Sequence, residues 1–192
     1  MLLRLDLLGW TPRPIALLAA VFVGLMLATQ PLRAEGIVLD AEQRTALAGL
    51  PALRGEEVVP DDFKDRIVVV TFFASWCPPC NPEFDHLQAV RNKYSKDQLK
   101  IVAVNIFESF SGLSDGKKLQ AFLRLKNPSF ITLGEGESIA KAFGDVKRIP
   151  SVFVFDSKGE LAFDFIHGVG AKKTHVEEDE LTEVIEGLLA SG

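Results

Sequence analysis

Cys77 and Cys80 are the only cysteines in the chain, three positions apart within Trp76-Cys77-Pro78-Pro79-Cys80. Three chemistries use such a pair. A structural disulfide is common in exported proteins. A clip this short, however, removes little unfolded-chain entropy: about 2 kcal/mol for a four-residue loop against about 3 for fifteen. A zinc site needs two further ligands, and His86, His167 and His175 are scattered, with no second cysteine pair. Redox exchange is the third chemistry, and it accounts for the placement. The pair stands where a strand-like run meets a helical pattern. A helix start offers unpaired N–H groups and a positive dipole end, which favour a thiolate at Cys77. That thiolate attacks a disulfide, and Cys80, one turn deeper, resolves the mixed disulfide. Pro78 and Pro79 stiffen the link, and neither has an N–H to misplace. The chemistry asks for no cofactor beyond the Cys77–Cys80 disulfide, and for no metal.

The surrounding elements must position the pair. Ile67-Val68-Val69-Val70-Thr71-Phe72-Phe73 is β-branched and aromatic without strict alternation, the pattern of a strand buried on both faces. It leads directly into the cysteines, and Leu87, Val90 and Tyr94 mark one face of the helix that follows. The run 100–106 reads as a second buried strand, making a βαβ unit with a parallel pair. Gly36 to Arg66 reads as an entry segment, with a short hairpin around Gly55 and a loop at Pro60-Asp61-Asp62. Ser114-Asp115 should begin a helix carried by Leu119, Phe122 and Leu123 and closed near Asn127-Pro128. A short helix at 138–143 stops at Gly144. Strands at 152–155 and 161–166 flank a hairpin-sized turn. The last helix should place Thr174 and Glu177 in capping-box positions, with Leu181, Val184, Ile185, Leu188 and Leu189 on one face.

With 192 residues, 47% of them hydrophobic, the chain suits one ordinary core rather than two domains. A net charge of −5 without a basic patch argues against nucleic acid. Residues 1–34 follow other rules. Ile15 to Ala28 lacks any charge between Arg13 and Arg33. That is short for a membrane span but right for a signal-peptide core, with Leu32-Arg33-Ala34 as a cleavage site before Glu35. The expectation is a signal peptide or N-terminal membrane anchor over 1–34 and a folded domain over 35–192, outside the cytoplasm. Contact with a membrane is expected only where the leader is retained. Without Arg4, Arg13, Arg33 and Asp6, 18 basic side chains remain against 25 acidic ones.

The run from Val68 through Cys80 resembles the active site of the TlpA/ResA-like thioredoxins, bacterial extracytoplasmic thiol–disulfide oxidoreductases. The similarity runs from about Leu50 to the C-terminus. A second block, Val146 to Phe155, resembles that family's cis-proline segment. The resemblance implies a thioredoxin fold: α/β, a central mixed sheet flanked by helices, with a TlpA-like central insertion within Glu108 to Leu133. It implies a cis Ile149–Pro150 bond opposite the cysteines, with the Ile149 backbone free to pair with an extended substrate. It further implies that Glu83 is a carboxylate tuning the thiols; a first-turn surface acid is the plain alternative. Cytoplasmic thioredoxins place a buried Asp where Thr71 stands. Trp76 is expected on the rim of the site, His86 on the helix surface and His167 at a strand end with no role.

The function implied is reduction of disulfides in exported proteins, apocytochrome c leading among them, with recharging by a membrane dithiol donor. A dithiol oxidase or isomerase is the rival of the same chemistry. A thiol-based copper metallochaperone is the rival of another class. Met1 and Met26 both fall in the leader, which leaves such a copper site no methionine ligand in the folded part.

Overall fold

The computed structural model describes residues 36–113 and 116–191. The expected leader and the expected helix start at Ser114-Asp115 lie outside them. The chain order is α1 (Ala41–Ala48), β1 (Ala52–Arg54), β2 (Ile67–Phe73), α2 (Cys80–Lys93), β3 (Leu99–Asn105), α3 (Lys117–Lys126), β4 (Ile131–Leu133), α4 (Glu137–Ala142), β5 (Ser151–Phe155), β6 (Leu161–Ile166) and α5 (Glu178–Ser191). A 3₁₀ turn at Pro60–Phe63 and another at Phe110–Gly112 sit in the connections.

The six strands form one mixed sheet in the order β1-β4-β3-β2-β5-β6. β2 runs parallel to β3 and antiparallel to β5, so it occupies the interior of the sheet. Every residue of β2 is buried, as expected of a strand covered on both faces. Successive side chains on a strand point to opposite faces. Phe72 therefore packs edge-on against Phe143 and Phe153, at 5.4 and 6.0 Å between ring centres. Phe73, on the other face, meets Phe84 of α2 at 4.7 Å and Phe122 of α3 at 5.6 Å. Phe130 extends this second cluster from Phe84 at 5.3 Å. Two adjacent phenylalanines thus fix a helical layer on each side of the sheet.

Two local expectations are corrected, and one helix appears within the entry segment, where none was expected. Residues around Gly55 form no hairpin; β1 pairs instead with β4, about eighty residues away in sequence, at Ala52↔Leu133 and Arg54↔Thr132. Residues 41–48 are helical because Asp40 caps them, its Oδ1 accepting from the amides of Glu42 at 2.8 Å and Gln43 at 3.1 Å. α1 buries only Leu47, so its sequence has little apolar period to read. The last helix begins at Glu178 rather than after Thr174, and the Thr174 hydroxyl meets the His175 ring instead of capping. Elsewhere the signals hold. Asn127 closes α3 in the left-handed conformation, and Gly144, at φ +81°, follows α4.

Phe84 ties the cysteine-bearing helix to the sheet, so Phe84→Ala in the disulfide form should cost about 3–5 kcal/mol of unfolding free energy. Leu125→Ala, on a side chain 78% exposed, should stay within about 0.5 kcal/mol. Urea unfolding of both variants checks the contrast.

Candidate active site

The chain leaves β2 at Phe73 and turns sharply, with the Cys77 amide donating to Ala74 O at 3.2 Å and the Cys80 amide to Cys77 O at 3.3 Å. Helix α2 starts at Cys80, and Pro82 sits in its first turn, where a missing N–H leaves nothing unpaired. Cys77 thus lies just ahead of the helix rather than within it. The two cysteines are joined as a disulfide, with Cα atoms 5.4 Å apart. Cys80 is fully buried and Cys77 only 2% exposed, so Cys77 is far more enclosed than its position before the helix suggests.

Cys77 opens into a cleft of about 430 Å³. One wall is aromatic: the Trp76 indole Nε1–H donates to Phe107 O at 2.8 Å, and its ring stacks on Phe110 at 5.6 Å. Trp76 is therefore on the rim, as expected, but held in place from the β3–α3 connection. Glu108 organises the same corner. Its carboxylate accepts from the Ser75 amide at 3.0 Å, from the Ser75 hydroxyl and from Asn105 Nδ2 at 2.8 Å. Lys147, Arg148 and Ile149 line the cleft as well.

The Ile149–Pro150 bond is cis, as the resemblance implied. The Ile149 backbone is not wholly free, however: its carbonyl is engaged by His167 Nδ1 at 3.1 Å. His167 lines the cleft and belongs to the site. Sequence reasoning missed Phe107, Glu108, Phe110, Lys147, Arg148 and His167. The signals touching them were the extra length of the segment that begins at Glu108, the cis-proline block that includes Lys147 and Arg148, and the strand-end position of His167, none of which marked a side chain of the site.

Glu83 is fully buried, three residues beyond Cys80 and so on the same face of α2. Thr71 Oγ1 donates to its Oε1 at 2.6 Å, and the carboxyl faces the Val176 backbone amide, while Oε2 has no partner within bonding geometry. Burial pushes the Glu83 carboxyl up to about 8, and the contacts from Thr71 and Val176 offset only part of that. At neutral pH the group is mostly a neutral acid. The surface-acid alternative fails, because α5 and the segment before it cover this face of α2.

A sheet ending in a cysteine pair at the start of a helix, with a cis-proline segment beside it, defines a thioredoxin-fold protein with a redox-active disulfide. The chain belongs to the redoxin family, which it matches over residues 40–185. It is 30% identical over 112 residues to the thioredoxin-like protein YneN of Bacillus subtilis, covering 58% of this chain and 63% of that protein. It is 26% identical over 130 residues to the thiol–disulfide oxidoreductase ResA of Halalkalibacterium halodurans, covering 67% of this chain and 69% of that one. The crystal structure of StoA from Bacillus subtilis superposes with a TM-score of 0.56 at 22% identity, over 70% of this chain and 92% of StoA.

The raised pKa of Glu83 makes stability depend on pH with a definite sign. Between pH 4.5 and about 8 the folded protein holds a proton on Glu83 that the unfolded chain has lost. The stability from this group is therefore fully present below the lower value and falls as pH rises through the window, by up to about 1.4 kcal/mol per unit. Glu83→Gln keeps the shape without the titration, so its stability should vary less over that window. Urea unfolding of both disulfide forms at pH 5, 6.5 and 8 measures the two slopes; coinciding slopes would exclude a protonated Glu83.

Proposed function

We propose that this chain is a thiol–disulfide oxidoreductase that reduces disulfides in exported proteins. The observation that carries the reading is the Cys77–Cys80 disulfide opening on an aromatic cleft with a buried, proton-holding Glu83 on the face of Cys80. In the reduced protein the Cys77 thiolate attacks one sulfur of a substrate disulfide, forms a mixed disulfide and expels the other substrate thiolate. The Cys80 thiolate then attacks Cys77 Sγ, which releases the second substrate thiolate and leaves the Cys77–Cys80 disulfide. An outside dithiol donor, supplied at the membrane, restores the reduced pair.

Cys80 must lose a proton to resolve the mixed disulfide, and a carboxyl near 8 is matched to a thiol of ordinary acidity. Glu83, in its ionised fraction, is thus the proton acceptor for Cys80, and in its protonated form the donor when the disulfide is reopened. Trp76 and Ile149 line the groove for the substrate segment, and Pro150 fixes the turn that presents Ile149. Apocytochrome c is the leading substrate, because its haem-attachment cysteines must be reduced before ligation. Action outside the cytoplasm follows from the leader expected over 1–34. Among the described residues, no helix is long and apolar enough to cross a membrane.

The rival direction, oxidation, requires a strongly stabilised thiolate. Enclosure of both sulfurs works against it, since desolvation disfavours the charged thiolate. The reduction potential should therefore lie nearer about −270 mV than about −120 mV. Equilibration with dithiothreitol or glutathione buffers measures it, and a value above about −150 mV would overturn reduction as the direction. In cells, Cys80→Ser should accumulate mixed disulfides through Cys77. Better trapping by Cys77→Ser would reverse the two roles.

A further inference from the structure

The histidines that look scattered in the sequence are not all apart in the fold. His86, on the outer part of α2, and His175, in the segment leading into α5, have ring centres 5.5 Å apart. Glu177 lies between them: its Oε2 is 3.4 Å from His86 Nε2, and its Oε1 is 3.5 Å from His175 Nε2. The three candidate ligand atoms all lie within 4.8 Å of one another. Ligands 2.0–2.1 Å from a tetrahedral zinc ion are about 3.3 Å from each other, so each imidazole already stands at about that spacing from one oxygen of Glu177, and a metal would draw the set together from within 4.8 Å. We propose that His86, His175 and Glu177 form a binding site for a divalent transition-metal ion, zinc in the first instance, clipping α2 to the segment before α5.

The chemistry of the set fits. Two imidazoles and one carboxylate with an open position are a ligand combination that zinc uses. The side chains of His86 and His175 are 26% and 18% exposed, enough for an ion to enter and little enough to hold the rings. His175 is also held from behind, its Nδ1 3.0 Å from Thr174 Oγ1; an Nδ1–H donating there leaves the Nε2 lone pair facing Glu177. Val176, between the two ligands in sequence, is fully buried and anchors the segment. His86 sets the one condition. The Glu178 amide donates to His86 Nδ1 at 3.1 Å, which puts the ring proton on Nε2. Coordination through Nε2 requires that proton to move to Nδ1 and the amide to let go. Glu178 is the first residue of α5, so its amide has no acceptor within the helix and can turn to water. The neighbouring Glu178 carboxylate is taken by Lys93 at 2.8 Å and is not a competing ligand.

The site is independent of the thiol chemistry, although the Val176 amide between its ligands faces the Glu83 carboxyl. Calorimetric titration of zinc into the full chain in its disulfide form, where no thiol competes, tests it. One ion per chain is expected, and cobalt in its place should give the visible bands of tetrahedral coordination. Removing a partner outside the ligand shell already weakens metal sites by about 10–100-fold, so His175→Ala should weaken zinc at least about 100-fold. Glu177→Gln, which leaves both rings and the Glu178 amide bond in place, should weaken it by at least about tenfold. His167→Ala should leave it unchanged. Absence of saturable binding would overturn the proposal. So would equal affinity in wild type and both ligand variants, the mark of an adventitious ion only. Binding that appears only after reduction and needs Cys77 would assign the metal to the thiols and overturn it as well.

Discussion

The arrangement depends on β2 being buried on both faces. A strand in that position must present apolar side chains to two layers at once, and Phe72 and Phe73 do so with separate aromatic clusters. The strand therefore has neither face free to slip, because a one-residue shift in register would exchange the two clusters. Its C-terminal end is held in place, and the turn to Cys77 starts from that end. Phe84 then packs α2 against Phe73, which fixes where Cys80 stands.

The same burial decides the electrostatics. Thr71 lies on the Phe73 face of β2, and its hydroxyl reaches Glu83 across the strand–helix interface. The carboxyl thus enters from the helix, on the face of Cys80, into space from which water is excluded. Desolvation keeps its proton on, and one hydrogen bond from Thr71 is too little to reverse that. A carboxyl that holds and releases a proton near neutrality is a consequence of packing, because the identical side chain on an exposed first turn would stay ionised.

The cleft is assembled from pieces distant in sequence. Trp76 comes from the turn after β2, Phe107 and Phe110 from the connection after β3, Arg148 and Ile149 from before β5, and His167 from after β6. Glu108 holds two of these pieces together through Ser75 and Asn105. In sequence Glu108 is one acid among many, with no periodicity or motif to single it out. Its role exists only because the C-terminal ends of β2 and β3 lie side by side, Phe73 opposite Asn105.

The sequence alone determined what local covalent pattern and apolar periodicity can encode. The Val-, Ile- and Phe-rich runs marked β2, β3 and β5, because strands buried in a sheet need such side chains continuously, while β6, on the sheet edge and nowhere fully buried, was marked by the hairpin-sized turn before it. The spacing of Cys77 and Cys80 identified the reacting pair, because that chemistry is local. Resemblance of the segment around Pro150 supplied the cis bond. What the tertiary structure decided is everything that depends on a partner far along the chain. The pairing of β1 with β4 replaced a hairpin, because a three-residue strand carries too little pattern to name its neighbour. Thr174 lost its expected capping role when α5 began at Glu178. The enclosure of Glu83, the engagement of the Ile149 carbonyl by His167, and the meeting of His86 with His175 belong to the same class. Burial and proximity are properties of the packed chain, and residue spacing along one element cannot state them.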